Sequence, residues 1–223
     1  HRDLHSFPTR RSSDLLGGLV LLALLRAQAV SYELNAQGHG AVSALPLHPR
    51  TRLALWLVFA LVWLQIGLGG WVSTNYAVLA CDTFPTCQGG WWPDMAVREG
   101  FTLWRELGMS ANGQPIPFAA LTAIHYAHRL FAYVVLIALA WLSWRLWAAP
   151  ATRHHARWLL ALLWWQFATG MSNVVLDWPL VAAVGHTGGA AGLVVVMTGM
   201  LFGTRTADDT VSASKFNVSR LTS

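Results

Sequence analysis

Leu53-Ala-Leu-Trp-Leu-Val-Phe-Ala-Leu-Val-Trp-Leu-Gln-Ile-Gly-Leu-Gly-Gly-Trp-Val72 is the stretch that decides the fold. It contains no charged side chain, and a helix of this length spans about 30 Å, the thickness of a bilayer's hydrocarbon core. Three further apolar runs follow, at Phe118–Trp147, Ala156–Leu176 and Leu180–Gly203. The sequence therefore predicts an all-α integral membrane protein, with a four-helix bundle over residues 53–203.

The composition agrees with a membrane protein. Hydrophobic residues make up 55% of the chain and charged residues only 11%, and the mean hydropathy is +0.44. A soluble domain carries about 25% charged residues. The 13 tryptophans are typical of aromatic belts at membrane interfaces. The net charge of +5 raises nucleic acid as a partner. The basic residues lie in short runs between apolar stretches, so we predict that no nucleic acid is bound.

The first 15 residues are interpreted separately. The stretch His5–Leu15 is what a common sequencing adapter encodes when it is translated in frame. Residues 1–15 are therefore interpreted as an artefact of a truncated gene. Residues 16–52 are interpreted as a helix stub followed by a cytoplasmic connection, because the apolar run Leu16–Leu25 reaches only about 15 Å as a helix.

A signal peptide is the alternative for this region. Arg10 and Arg11, the apolar run Leu15–Leu25 and Ala27-Gln-Ala29 imitate its three parts. Arg26 interrupts the cleavage region, however. Cleavage there would also place the basic residues before the first span outside, against the orientation that the other connections predict.

Orientation follows from the basic residues. They concentrate before the first span, in the connection near residue 153 and in the tail, which lie on one side of the membrane. That side is expected to be cytoplasmic. The loop 73–117 and the turn 177–179 then face outward. The tail 204–223, rich in Ser, Thr and Asp, is predicted to be disordered.

Both cysteines of the chain, Cys81 and Cys87, lie in the outer loop. An oxidising compartment and their short separation favour a disulfide over free thiols. The spacing does not match the C-x₂₋₄-C pairs of zinc sites. A redox role for the pair remains the alternative to a structural one.

The spans repeat a short pattern. The first contains Gln65-x-x-x-Gly69 and the third contains Gln166-x-x-x-Gly170, each just before the outer end. The second and fourth spans both carry histidine. This alternation predicts two similar helical hairpins packed together.

Three of the nine histidines fall within spans: His125, His128 and His186. Ionisable groups inside a membrane are costly and usually functional. His128 lies about 15 Å along its helix from the outer end and His186 about 10 Å. Both imidazoles can therefore lie at similar depth, as axial ligation of a heme iron requires.

The surroundings of these histidines leave alternatives open. Gly185-His-Thr-Gly188-Gly-Ala-Ala-Gly192 gives room for a flat macrocycle, but its small residues at four-residue spacing also suit close helix packing. Arg129 suits a propionate of a cofactor or an interhelical hydrogen bond. His125 shares a helix face with His128 and is expected to tune the site, contact substrate or bond a neighbouring helix.

Four motifs in this order resemble the heme A synthase family: Gly69–Cys81, Phe84–Cys87, Ile124–Arg129 and Gly185–Gly188. The resemblance covers about Leu53–Gly203. The family has eight spans in two pseudo-symmetric four-helix halves, and this chain is similar to the C-terminal half. Each half offers a His-Arg in its second helix, a His in its fourth and an outer cysteine pair.

The resemblance implies specific roles. His128 and His186 would be the axial iron ligands of a heme b, with Arg129 and His125 also contacting the cofactor, and Cys81 and Cys87 would match the cysteine pair. The family oxidises the methyl group of heme O to the formyl group of heme A for terminal oxidases. The implied partners are heme O, the lipid bilayer, and heme O synthase or a second copy. The implied location is a bacterial inner membrane, with the loop 73–117 periplasmic.

The departures from the family pattern also matter. The N-terminal half is missing, and His125 occupies the position where that half carries a glutamate used in chemistry. No catalytic residue is therefore assigned, and the fragment is not expected to react alone. A membrane cytochrome b that only transfers electrons through two histidines is one alternative. A heme-free structural or transport bundle, in which His128 and His186 point apart or pair with other polar groups, is another.

Overall fold

A computed structural model describes residues 8–36, 45–106 and 108–205. Within these ranges the chain is all-α, as predicted, apart from a pair of two-residue parallel strands, β1 (Leu45–Pro46) and β2 (Thr204–Arg205). A 3₁₀ turn covers Ala77–Leu79. The helices of the described part are α1 (Pro8–Ala36), α2 (Pro49–Thr74), α3 (Val97–Gly100), α4 (Phe118–Trp147), α5 (Arg153–Val175) and α6 (Leu180–Gly203).

Among the described residues, four helices are long and apolar enough to cross a membrane by length and composition. They are α1, through its segment Ser13–Leu34, together with α2, α4 and α6. The protein is therefore a multi-pass membrane protein. The predicted span Ala156–Leu176 corresponds to α5, which is less apolar because it begins Arg-His-His and carries Gln, Ser and Asn near its other end. It still packs between α4 and α6.

Helix α1 corrects the predicted length of the stub. The helix runs through 29 residues instead of the ten of Leu16–Leu25. Arg26 and Gln28 interrupt the apolar run, but both are good helix formers and do not end the helix. The helix contacts α2 and α6. It begins at Pro8, inside the stretch interpreted as an adapter, and that interpretation stays a prediction. The predicted tail lies outside the described residues, except for Thr204 and Arg205.

Prolines set the starts of three long helices. Helix α4 follows Pro117 and α6 follows Pro179, both in extended conformation. Helix α2 starts with Pro49 after His48, whose imidazole accepts a hydrogen bond from the Arg50 backbone N–H at 3.3 Å. A proline at a helix start loses no hydrogen bond, because the first N–H groups have no partner within the helix.

The apolar core fills one end of the bundle. Its fully buried members lie in the last half of α4 and of α6 and at the beginnings of α2 and α5, and they include Leu55, Leu142, Leu159 and Met197. Apolar side chains on outer faces, such as Ile137 and Val181, are exposed as lipid contact requires. The opposite end, where α4 and α6 begin, contains a cavity instead of a packed core.

The long loop between α2 and α4 (residues 75–117) packs against the ends of both helices. The indole of Trp71 donates to the Gly100 carbonyl at 2.9 Å, and the Ala96 N–H donates to the Ala119 carbonyl at 3.0 Å. A β-carbon at Gly100 would lie 2.7 Å from the Ala120 carbonyl oxygen, so the close approach of α3 to α4 requires glycine. The long loop is thus fixed over the end of the bundle that contains the cavity.

Candidate functional site

The cavity has a volume of about 670 Å³ and lies among α1, α2, α4, α5 and α6. Sites for small molecules and cofactors typically measure about 300–1,000 Å³ and are mostly apolar. The lining here is mostly apolar, with a few polar side chains. His125, His128 and His186 are all among the lining residues. The cavity thus brings together the three histidines that the sequence singled out.

His128 is held by α2. The side-chain nitrogen of Gln65 lies 3.1 Å from its Nδ1 and 3.3 Å from its Nε2, and donates to its backbone carbonyl at 3.2 Å. The other amide atom of Gln65, Oε1, is buried without a partner. Since exchanging the two amide atoms would set one acceptor against another at the carbonyl, the donor must face His128. Gln65 therefore contacts both the ring and the backbone of this histidine.

His186 is held by α5 in a related way. The side-chain nitrogen of Gln166 donates to its backbone carbonyl at 2.9 Å, and the Thr169 hydroxyl lies 3.0 Å from its Nδ1. That hydroxyl donates its one proton to the Trp165 carbonyl at 2.7 Å. It must then accept from Nδ1, which fixes the proton of the neutral imidazole there. The Nε2 lone pair of His186 is therefore available to a metal.

Glycines let both imidazoles approach the neighbouring helices closely. A β-carbon at Gly69 would lie 3.1 Å from Cε1 of His128, and one at Gly170 would lie 3.2 Å from Cε1 of His186. Both distances are shorter than ordinary van der Waals contact. Each Gln-x-x-x-Gly therefore forms one bracket, in which the glutamine bonds the histidine backbone and the glycine packs against its ring. The predicted likeness of the two hairpins is confirmed at this level.

The glycine-rich stretch of α6 serves both purposes that its sequence left open, close helix packing and room for a macrocycle, at different residues. A β-carbon at Gly189 would lie 2.5 Å from side-chain atoms of both Trp165 and Gln166, and one at Gly192 would lie 3.0 Å from Leu162. These glycines permit close packing on α5. Gly188 lines the cavity and has no such neighbour within 4 Å. It leaves room beside His186.

His125 differs from the other two histidines. Its Nδ1 lies 3.3 Å from the backbone nitrogen of Cys81, and its Nε2 lies 3.2 Å from Nε of Arg129. Both neighbours are N–H donors, so a neutral His125 accepts a hydrogen bond from one of them at a time. Of the three roles that the sequence left open, this geometry favours hydrogen bonding to a neighbouring element, and that element is the long loop.

Arg129 is buried and anchors the long loop to α4. One of its terminal nitrogens, Nη1, donates to the carbonyls of Thr83 at 2.7 Å and Thr86 at 3.1 Å, and Nη2 donates to that of Cys81 at 2.7 Å. With the contact to His125, four of its five N–H groups are engaged. All of these hydrogen-bond partners are uncharged, and the guanidinium lines the cavity, with the carboxylate of Asp82 near enough to interact with its charge.

The predicted disulfide between Cys81 and Cys87 is present, with the Cα atoms 4.6 Å apart. The disulfide encloses the carbonyls of Thr83 and Thr86 that Arg129 binds, and Phe84 of the same segment lines the cavity. The Gln88 side chain adds hydrogen bonds to the Ala80 carbonyl and to Thr122 of α4. This disulfide segment, residues 81–87, borders the cavity through Phe84 at the end under the long loop, here called the mouth of the cavity.

Sequence reasoning missed Thr169 and the partners of Arg129. Thr169 is three residues after Gln166, so helical spacing places both on the face toward α6. That spacing was the available signal. The carbonyls that Arg129 binds come from a segment more than 40 residues earlier, and a backbone carbonyl carries no signal in sequence.

Among the described residues, no group of three or more His, Cys, Asp or Glu side chains is placed to hold a metal ion. Two imidazoles beside an apolar cavity suit an iron whose other ligands come from a macrocycle. The positive charge of Arg129 at the same cavity suits the carboxylates of such a group. Fold and site together define a helical membrane protein with paired histidines at a cofactor-sized cavity.

Comparisons with known proteins identify the family. The model of the cytochrome oxidase assembly protein family matches residues 3–198. A heme A synthase of Shewanella oneidensis is 35% identical over 185 residues, which are 83% of this chain and 55% of that protein. Heme A synthases of Brucella anthropi and Brucella ovis are 31% and 30% identical, over 60% of this chain and 35% of theirs. No solved structure matches the chain.

The chain therefore belongs to the heme A synthase family, as the resemblance of its motifs predicted. It spans about half the length of the Shewanella protein and about a third of the Brucella proteins.

Proposed function

We propose that this chain is the heme-binding half of a heme A synthase, with a heme b held between His128 and His186. The observation that carries the proposal is that both imidazoles border one cavity of about 670 Å³, with Nε2 of His186 free to bind iron. Heme bound there supplies one-electron transfer. The residues of this chain bind the macrocycle, orient the imidazoles and cover the site.

Arg129 and His125 have a second task in this proposal. Arg129 has one N–H group left after its four hydrogen bonds and lines the cavity, so it would hold a propionate while it anchors the disulfide segment. A carboxylate there would form a charge-assisted hydrogen bond with that N–H group and add to the interaction of Arg129 with Asp82. His125 then supports Arg129 and does not bind iron.

The whole protein in this proposal oxidises the methyl group of heme O to the formyl group of heme A, which terminal oxidases use. The relatives are heme A synthases, which supports a role of the whole protein in making heme A. The chain spans about half of such a protein, so the reaction requires the other half, and the catalytic residues are assigned to that half. Further proposed partners are the lipid bilayer and either heme O synthase or a second copy.

The proposed location is a bacterial inner membrane, with the long loop and the turn 177–179 on the periplasmic side. The basic residues support this orientation, because Arg50, Arg52, Arg145, Arg153 and Arg157 all lie at the end opposite the long loop. A disulfide in the long loop also fits an oxidising compartment.

The test is a reduced-minus-oxidised absorption spectrum of the purified chain in detergent. We expect a low-spin b-type spectrum that disappears in both His128→Ala and His186→Ala and persists in His154→Ala, an exposed histidine at the start of α5. A spectrum unchanged in either of the first two variants would show that the ligands are assigned wrongly. Restoring an N-terminal half then tests the reaction, because an electron-transfer cytochrome would gain no formyl product from heme O.

A further inference from the structure

In each hairpin the histidine is held by a glutamine and a glycine of the neighbouring helix. The proposed binding of iron by the histidines does not explain why both hairpins use these two residue types. Gln65 and Gln166 each reach across to the helix that carries a histidine and donate to the backbone carbonyl of that histidine, at 3.2 Å and 2.9 Å. In a regular helix this carbonyl already accepts from the N–H four residues later. The glutamines therefore add a bond at the level of each imidazole.

We infer that Gln65 and Gln166 are positioning residues. They set the position of His128 and His186 along the bundle axis and the orientation of the two imidazole rings. Each glutamine fixes the turn that carries the histidine, and the glycine one turn later lets the ring rest on the opposite backbone. Such a bracket restrains the histidine on two sides before heme arrives. The inference rests on the proposed function, since it concerns the same heme site.

The position of the glutamines in the membrane strengthens the argument. Both line the cavity, and Gln65 lies in one of the described helices that are long and apolar enough to cross a membrane. An amide that served only for packing would not need to place its donor on the histidine carbonyl in both hairpins. The buried, unpartnered Oε1 of Gln65 also indicates that its orientation is set by the histidine at its other end.

The test compares the Gln65→Met and Gln166→Met variants of the full chain with Gln28→Met. Methionine keeps the length of the side chain and removes the donor. Gln28 lies on an exposed face of α1, so it provides the same chemical change away from the site. Three readouts are taken: heme b affinity by titration, the electron paramagnetic resonance spectrum of the oxidised heme, and the thermal midpoint of the heme-free chain.

We expect each site variant to bind heme about threefold to tenfold more weakly, the range of interhelical hydrogen bonds in membranes. The double variant should lose about the product of the two factors. The highest g value should shift and broaden in both variants, because it depends on the orientation of the imidazole planes. The Gln28→Met variant should match the original chain in all three readouts.

Two results would overturn the inference while the proposed function stands. One is unchanged affinity and resonance in both site variants. The other is a lower thermal midpoint with unchanged affinity and resonance, which would make the glutamines structural only. If the original chain binds no heme even with its N-terminal half restored, the proposed function itself fails, and the inference fails with it.

Discussion

The two hairpins of the bundle, α2 with α4 and α5 with α6, hold their histidines alike but differ at the cavity mouth. In both, a glutamine bonds the histidine backbone and a glycine lies under the ring. The first hairpin is joined by the long loop, and the second by Asp177-Trp-Pro179. The two histidine brackets are thus alike, whereas the connections beside the cavity differ: a long loop in the first hairpin and a short turn in the second.

The residues around the histidines explain that difference. Next to His128, α4 carries Arg129, and one turn earlier it carries His125. The matching positions on α6 are Thr187 and Ala183, which cannot anchor a loop. Of the two helices that carry the histidines, only α4 therefore has side chains beside its histidine that can anchor a loop. The comparison suggests that a shared histidine bracket was combined with a different cover in each hairpin.

The largest effect expected is that of Arg129→Leu. It leaves the carbonyls of Cys81, Thr83 and Thr86 without their donor in a partly buried segment, so we expect a loss of about 3 kcal/mol in the free energy of unfolding. The matched change on the other hairpin is Thr187→Leu, on an exposed residue. Unfolding by denaturant in detergent measures both.

The contrast between these two variants is the informative result. We expect hydrogen exchange in residues 81–87 to rise in Arg129→Leu and to stay unchanged in Thr187→Leu. Equal destabilisation by both, or protection of the disulfide segment retained without Arg129, would show that the mouth does not depend on α4.

A second variant, Thr169→Val, tests a difference between the two histidine brackets: only His186 has a hydroxyl partner at its Nδ1. The hydroxyl fixes the proton on Nδ1 of His186, while the matching position on α2 is Leu68. Loss of such a partner of a metal-binding histidine typically weakens metal binding tenfold to 100-fold. Because the valine keeps the volume, we expect about a tenfold loss of heme affinity, measured by titration.

The control for that variant is Leu68→Ala, which changes the matching position without touching a ring nitrogen. An affinity lowered equally by Leu68→Ala would refute the role given to the Thr169 hydroxyl.

The smallest effect is expected from Gly69→Ala and Gly170→Ala. The added methyl would lie 3.1 Å or 3.2 Å from an imidazole carbon, so the ring must move by a few tenths of an ångström. We expect a loss of heme affinity of about twofold to fivefold in each, since such overpacking usually costs about 1 kcal/mol. Gly67→Ala on the same helix meets no atom within 4 Å and serves as the control. Unequal losses in the two variants would show that the brackets are not equivalent.

The parts of the fold that the sequence predicted are those with sharp local boundaries. The bounds of α4 and α6 match the predicted runs because Pro117 and Pro179 end the preceding turns and start the helices. Helix α1 was underestimated because Arg26 and Gln28 interrupt an apolar run without ending a helix. Hydropathy reports what contacts lipid, whereas a helix boundary depends on backbone hydrogen bonds.

The candidate site divides in a similar way. His128 and His186 were recognised because an ionisable residue in an apolar run is rare, and the glutamines were visible through their repeated spacing. The anchoring role of Arg129 was not, since its partners are main-chain atoms of a distant loop. Thr169 was missed because a threonine within a helix is common and usually bonds only the backbone of its own helix.

Helix α1 forms one wall of the cavity, although nothing in the sequence of α1 indicates this role. Leu19 of α1 lines the cavity beside α2 and α6, the two helices that α1 contacts. An engineered version cut back to residues 53–203 would keep both histidines and both brackets, yet its binding chamber would open sideways into the membrane. A truncated protein that keeps this site closed therefore needs all five long helices, because α1 separates the cavity from the surrounding lipid.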